Sequence, residues 1–499
     1  MIPGRLRTGL AAASALAAGL LLRLWFVTHA GRIDGDTLIY GNIAKNWIQH
    51  GVYGFVTTAR GVSPTLIRLP GYPLFIAACF SIFGADHYIA VMVVQCVVDL
   101  LTCLLIAALA GRLFGRRAAT AALWLSVLCP FTAAYTSAPL TEVLTLTTIA
   151  LAFFSLERWQ SAGTGFNRWL WIAASAMAYS VLLRPEQGLL PAAIVLAMLW
   201  MSLRKQPAEA RREAAEARRE AAEAYKQPAE ARPTQPHTVV QAILPIALAV
   251  LCIVLPLFPW AVRNWRTFHV VQPLAPRYAT DPGEHIPLGF QRWYRSWAID
   301  YASTEEVYWN YDSAEIDPAN LPTRAFDSRE QYLRTYGLLS EYNDTYNATP
   351  AFDARFEAIA RQRIHADPIR YYLALPVARL VNMLLRPRAE MFPIPLDWWH
   401  WRGHAVAALV ALALAALNLA YFVLGAVGLW TWRRRGFGEH TALVGAMVAF
   451  VILRCALLLT LDNSEPRYTL EFFPLLIVWG SAIFQRQTLS LSSDPSTAE

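Results

Sequence analysis

No phosphate-cradling glycine loop occurs in this chain. Neither a Walker-type run nor a dinucleotide G-x-G-x-x-G fingerprint is present, so a nucleotide is not expected to drive its chemistry. Cysteine is scarce: the six residues (Cys79, Cys96, Cys103, Cys129, Cys252, Cys455) are scattered, nearly all in apolar runs, and imply neither a disulfide framework nor a zinc site. Charge is scarce as well. Of 499 residues only 16% are charged while 56% are hydrophobic, too apolar a balance for an ordinary soluble enzyme. The formal net charge of +7 is not gathered on one soluble face, so no nucleic acid partner is expected. Nor does one half of the chain repeat the other, as the halves of many transporters do.

What the chain has instead is long apolar runs. A spanning helix needs about 20 mainly apolar residues, and about ten such runs occur, near 8–28, 87–110, 118–136, 139–156, 169–184, 187–203, 239–260, 404–430, 440–460 and 470–485. The expected fold class is an all-α polytopic membrane protein. Threading the runs in order puts Arg5 and Arg7, Arg112, Arg116 and Arg117, Arg158 and Arg168, the 204–232 segment, Arg433 to Arg435 and Arg486 on one side. The positive-inside rule makes that side cytoplasmic. Both termini are then inside, and the first run reads as a retained span because its apolar stretch is longer than a signal-peptide core.

The expected organisation is an N-terminal membrane module (1–203) with a first outer loop at 31–86, a linker at 204–238, a span at 239–260, an outer-face region at 261–403, C-terminal spans at 404–485 and a cytoplasmic tail at 486–499. The linker repeats AEARREA and carries QPAEAR twice. Such sequence favours helix but has no broad apolar face, and reads as a solvated cytoplasmic connector. The outer-face region is rich in Trp and Tyr but has little unbroken apolar sequence, so it is expected to cap the membrane part rather than stand alone.

The same threading brings Asp34, Asp36, Glu142, Glu186, Arg184, Arg263 and Arg467 to one membrane face. Ionisable groups left at mid-bilayer would cost about 2.5–3.5 kcal/mol each, so these belong at an interface or in a wet cavity. A guanidinium fork matches phosphate oxygens, and a carboxylate can take the proton from an attacking hydroxyl. Together they suit a reaction on a phosphate-bearing lipid. Tyr40 and Tyr72 read more readily as interfacial belt aromatics than as ligands, and Arg263, Arg379 and Arg467 read equally well as groups that snorkel to headgroups. His400 and His404 have the i, i+4 spacing of a metal pair but abut a Trp cluster without a suitable acid, so no metal is assigned there.

Six short pieces stand in order along the membrane portion: Asp36-Thr37-Leu38-Ile39-Tyr40 with Ala44; Pro70-Gly71-Tyr72-Pro73-Leu74-Phe75 with Phe83-Gly84; Thr141-Glu142; Arg184-Pro185-Glu186; Pro259-Trp260 with Arg263-Asn264; and Arg467-Tyr468 with Pro474. In these the chain resembles the GT-C glycosyltransferases, and within them the bacterial branch similar to protein O-mannosyltransferases, the lipid A aminoarabinose transferase and the rhizobial lipopolysaccharide galacturonosyltransferases. The resemblance implies a GT-C-like bundle of about ten or more spans with interfacial helices and a periplasmic cap, in a bacterial inner membrane. It implies transfer of one sugar from a polyprenyl phosphate, by inverting displacement, to a lipid, glycan or protein acceptor.

By the same resemblance Asp36 is the general base, with Asp34 the alternative holder of that role, and Glu142 a second acid. Arg184, Arg263, Arg467 and Tyr468 are implied at the lipid phosphate, and Tyr40, Tyr72, Glu186 and Asn264 at the substrate. Many relatives carry an acid directly after the first-loop Asp, whereas here the second acid precedes it as Asp34-Gly35-Asp36. Trp398-Trp399 is followed by His400 rather than Asp, which argues against a pyrophosphate-linked oligosaccharide donor. No cofactor is assigned, and a divalent metal is left open because some members use one and others do not. A transporter or flippase of a lipid-linked or anionic substrate, or a non-catalytic membrane scaffold, is the alternative.

Overall fold

The computed structural model describes residues 4–57, 61–204 and 239–485; the repeat-bearing linker and the C-terminal tail lie outside these. Helix dominates because nearly every apolar run is long and uninterrupted, and a helix satisfies its own backbone polar groups where no water can. Six described helices are long and apolar enough to cross a membrane, or up to seven if one bent pair counts as a span. They include α1 (Gly4–His29), α4 (Tyr88–Phe114) and α9 (Pro185–Arg204). α10 (Val239–Val254) and α11 (Leu257–Phe268) join into another, and α17 (Trp401–Arg435) and α18 (Thr441–Leu458) complete the set. The chain is a multi-pass membrane protein.

The other expected spans form as helices but differ in shape. The 118–136 run is broken into α5 (Arg116–Val127) and α6 (Pro130–Ala134), part of a pair bent by 45°. Pro130 has no amide to continue the ladder and opens the second piece at its first turn. α7 (Glu142–Ser161) and α8 (Arg168–Leu183) pack on each other, and α7 is buried along most of its length. The last run is a short helix, α19 (Phe473–Ser481), with every residue buried between α17 and its neighbours. α17 contains non-helical dihedrals at Arg402, Gly403 and His404, so the helical i, i+4 geometry of His400 and His404 does not form.

The connection after α1 holds the first functional segment. α2 (Asp36–His50) follows Gly35, whose φ of 46° suits a residue without a side chain. A two-stranded antiparallel hairpin, β1 (Gly54–Thr57) and β2 (Gly61–Pro64), comes next. α3 (Gly71–Phe83) then forms as a continuous helix through Pro73. Pro70 stands at its N-cap and Pro73 in its first turn, where the missing amide breaks no ladder bond, the first one running from Leu74 N–H to the Pro70 carbonyl. At 13 residues α3 is about 20 Å long, too short to cross a bilayer.

Between α11 and α17 the chain builds α12 (Leu288–Arg295), a single turn α13 (Tyr301–Ser303), α14 (Arg329–Asn343), α15 (Pro350–Ala366) and α16 (Leu375–Leu385). This region has a buried core in which large aromatic side chains pack among aliphatic ones such as Ile316, Leu338, Leu339 and Ile359. Phe290, Trp293, Tyr294, Trp297, Tyr311, Tyr342 and Phe356 pack together, with Phe290 stacked on Tyr311 at 3.7 Å. A few large rings supply the area that a longer aliphatic run would otherwise provide.

Two ionised groups lie inside runs read simply as apolar. Arg23 of α1 and Asp99 of α4 form a buried pair: Nε donates to Asp99 at 2.7 Å, and Nη1 donates to the carbonyls of Gly19 and Val127 at 2.8 and 2.9 Å. With most donors satisfied, the pair ties the first two spans together rather than marking an open site.

Candidate active site

Asp36 opens α2 at the mouth of the bundle. Its Oδ1 accepts from Arg68 Nη2 at 2.7 Å and its Oδ2 from Arg467 Nη2 at 3.0 Å, so two guanidiniums from distant parts of the chain grip one carboxylate. Burial alone would raise the Asp36 carboxyl, but Arg467 and Arg68 overcome it and hold it well below the usual carboxylate range. Arg467 also donates through Nε to Glu465 and lies 3.8 Å from Glu142. Burial works against its charge, yet Glu465, Asp36 and Glu142 together keep it firmly protonated.

Ion pairs continue inward from there. Glu142, the first residue of α7, accepts from Arg184 Nη1 at 3.3 Å, and Arg184 Nε meets Glu186 at 2.8 Å. Tyr468 lies under both Arg184 and Arg467, at 5.4 and 5.7 Å from its ring centre. Tyr40 lies under Arg68 at 5.7 Å, and burial pushes its phenol up to about 12. Arg68, Asp36, Arg467, Glu142, Arg184 and Glu186 thus form one unbroken chain of opposite charges. Such a chain is strong because its inner members, Asp36, Arg467, Glu142 and Arg184, each have more than one partner.

Asp36 and Arg467 line a cavity of about 460 Å³. Asp34 lies on the same wall, more exposed than Asp36, with Arg32 beside it. Tyr301, Trp309, Tyr135 and Glu390 also line it. Trp309 is exposed although it belongs to the aromatic 269–400 region, and its ring stands edge-on to Tyr301 at 5.7 Å. Glu390 accepts from the Tyr135 hydroxyl at 3.2 Å, while its Oε2 is buried without a partner. A lining that combines charged and aromatic side chains suits an amphiphilic ring that carries hydroxyls on its edge and C–H bonds on its face.

Of the residues singled out in the sequence, Asp36, Glu142, Arg184, Glu186, Arg467, Tyr468 and Tyr40 come together, and Asp34 joins them at the cavity. Tyr72 is fully buried and packs edge-on against Tyr40 at 5.0 Å, while its hydroxyl donates to Gln95 Oε1 at 2.6 Å and the Gln95 amide donates to the carbonyls of Thr136 and Ala138. Two do not come together with the rest. Arg263 and Asn264 lie on α11, which continues eight residues past the expected end of its span. Arg263 gives its donors to the carbonyls of Thr65 and Tyr53, and Asn264 gives its amide to the carbonyl of Gln272. Conversely, Arg68, Glu465, Tyr301, Trp309 and Glu390 went unread. Glu465 stands beside a membrane run and carries the same desolvation argument as Arg184, whereas Arg68 lies between the 8–28 and 87–110 runs and adjoins neither.

Among the described residues no group of three or more His, Cys, Asp or Glu side chains is arranged to hold a metal ion. Asp36, Glu142, Glu186 and Glu465 turn to guanidiniums instead.

Residues 64–210 match the family model described as dolichyl-phosphate-mannose-protein mannosyltransferase. The matched stretch contains Arg68, Glu142, Arg184 and Glu186 but neither Asp36 nor Arg467. The match covers less than a third of the chain, and its family is among those that the loop motifs resemble. Among solved structures, a crystal structure of ArnT from Cupriavidus metallidurans bound to undecaprenyl phosphate is similar at 14% identity, over 96% of this chain and 78% of that one, with a TM-score of 0.38. No curated protein matches by sequence.

Proposed function

We propose that this protein transfers a single sugar from a polyprenyl phosphate to a hydroxyl of an envelope acceptor, whether lipid, glycan or protein, with Asp36 as general base. The observation that carries this reading is the placement of Asp36 between two guanidiniums on the wall of a cavity large enough for a sugar ring. The acceptor oxygen attacks the anomeric carbon as the bond from that carbon to the phosphate oxygen breaks. The hydroxyl proton passes to Asp36, the electron pair leaves with the lipid phosphate, and the configuration inverts. Charge building on the phosphate is met by Arg68, Arg467 and, further in, Arg184.

The double grip on Asp36 makes it a weak base at rest. A phosphate that draws Arg68 or Arg467 toward itself weakens that grip, so donor binding and base activation are linked through the same two side chains. Tyr301 and Trp309 offer the apolar face for the ring. The alternation of basic loops supports a bacterial inner-membrane protein with both termini cytoplasmic and the site facing the periplasm.

The test is reconstitution in vesicles with a polyprenyl-phosphate sugar, together with mass spectrometry of envelope glycans and glycoproteins from cells with and without the protein. Loss of one sugar unit that Asp36→Asn does not restore is the expected result. Full transfer by that variant would overturn Asp36 as base, and flux across vesicles without a covalent product would identify a transporter instead.

A further inference from the structure

Arg263 was expected at the lipid phosphate, yet its fork grips the hairpin that follows α2. Nη2 donates to the Tyr53 carbonyl at 2.9 Å and Nη1 to the Thr65 carbonyl at 2.7 Å. These residues face each other just beyond the Gly54 and Pro64 pair that ends the two strands, and Thr65 N–H itself donates to Tyr53 at 3.0 Å. The guanidinium is walled in by the rings of Tyr53, Trp260 and Phe268, at 5.4, 5.1 and 5.3 Å. A second strap comes from the segment after α11, where Asp281 Oδ1 accepts from Leu66 N–H at 2.8 Å. From the fastened hairpin one more link leads to the site: the Tyr53 hydroxyl donates to the carbonyls of Arg68 and Leu69, at 2.9 and 3.1 Å.

We propose that Arg263 is a positioning residue, which with Asp281 fastens the 53–66 hairpin so that Arg68 is delivered to Asp36. This rests on the reading of Asp36 as the base. Two backbone carbonyls on opposite strands need a rigid two-pronged donor, which an arginine supplies and a lysine does not. The groups facing Asp36 are Arg68 from the loop before α3, Arg467 and Glu465 from the segment before α19, and Asp34 and Tyr40 from its own stretch. Of these only Arg68 depends on the hairpin.

The experiment compares Arg263→Gln, Arg263→Lys, Arg68→Gln and the double Arg68→Gln/Arg263→Gln in the full-length protein. The readouts are transfer rate against pH and hydrogen exchange at the Thr65 and Leu66 amides. Arg263→Gln should speed exchange at both amides and move the acidic limb of kcat/KM upward, as Arg68→Gln does, by up to roughly tenfold in rate on the acid side. The double variant should fall within about twofold of Arg68→Gln alone, because the two act in series. Arg263→Lys should recover only part of the exchange protection. Losses that multiply in the double variant, or a raised donor KM with an unmoved limb, would assign Arg263 a separate contact and overturn the proposal. So would unchanged exchange at Thr65 and Leu66. If Asp36→Asn still transfers sugar, the base reading fails, while the exchange result still reports on the strap.

Discussion

Replacing Arg68 with Gln removes one of the two cations from Asp36 without changing the size of the side chain greatly. At a separation near 4 Å and an effective dielectric of about 20, a unit pair is worth roughly 4 kcal/mol, a ceiling for a site that still touches water. The side chains of Arg68 and Asp36 are 20% and 24% exposed, which trims that value without erasing it. An arginine beside an aspartate favours the ionised carboxylate and lowers the pH at which it titrates, and losing Arg68 should raise that pH part of the way back, since Arg467 still holds the other oxygen. Removing both arginines leaves burial unopposed and should carry the carboxyl above the ordinary aspartate value of about 4.

The assay is transfer in vesicles across pH. kcat/KM reports the free enzyme and kcat the donor complex, and the acidic limb of kcat/KM should climb in the order wild type, Arg68→Gln, Arg68→Gln/Arg467→Gln. In the wild type the limb of kcat should lie above that of kcat/KM, because a bound phosphate competes for the guanidiniums. A limb that stays put or moves down in both variants would refute the argument that these arginines set the ionisation of Asp36.

Asp99→Leu should strand Arg23 inside the bundle and cost about 3–5 kcal/mol, whereas Arg23→Leu/Asp99→Leu should regain most of that loss; thermal unfolding in detergent distinguishes the two. Glu142→Gln removes a partner shared by Arg184 and Arg467, each of which keeps another carboxylate, so the expected loss is smaller, about 1–3 kcal/mol by the same measurement. Trp309→Ala should raise the KM for donor or acceptor several-fold with little change in thermal stability, because the ring is exposed and lines the cavity. Trp309→Phe should recover much of the loss.

Which parts of the site were readable follows from what each signal depends on. Asp36, Glu142 and Arg184 stand next to apolar runs, and the cost of a charge in lipid depends only on that local setting. Arg68 adjoins none of the apolar runs and stands ahead of Pro70-Gly71-Tyr72-Pro73, so the same cost does not mark it. Tyr301 and Trp309 carry no such mark, since aromatics are common throughout that region and only the turn at α13 brings two of them to the cavity. For Arg263 the sequence supplied the right residue type and the wrong partner, because a guanidinium at a span edge serves a carbonyl pair as well as a phosphate.

By itself the sequence determined that the chain crosses a membrane many times, that its folded elements are almost entirely helical, and that acids and arginines end up beside one set of loops. These follow from run length, hydropathy and the price of burying charge, all properties of short segments. Only the tertiary structure decided which charges meet. Asp36 and Arg467 are 431 positions apart, and periodicity can say which face of a helix is buried but not what lies against it. The same holds for Arg23 with Asp99 and Arg263 with the hairpin, whose pairing depends on how whole helices pack.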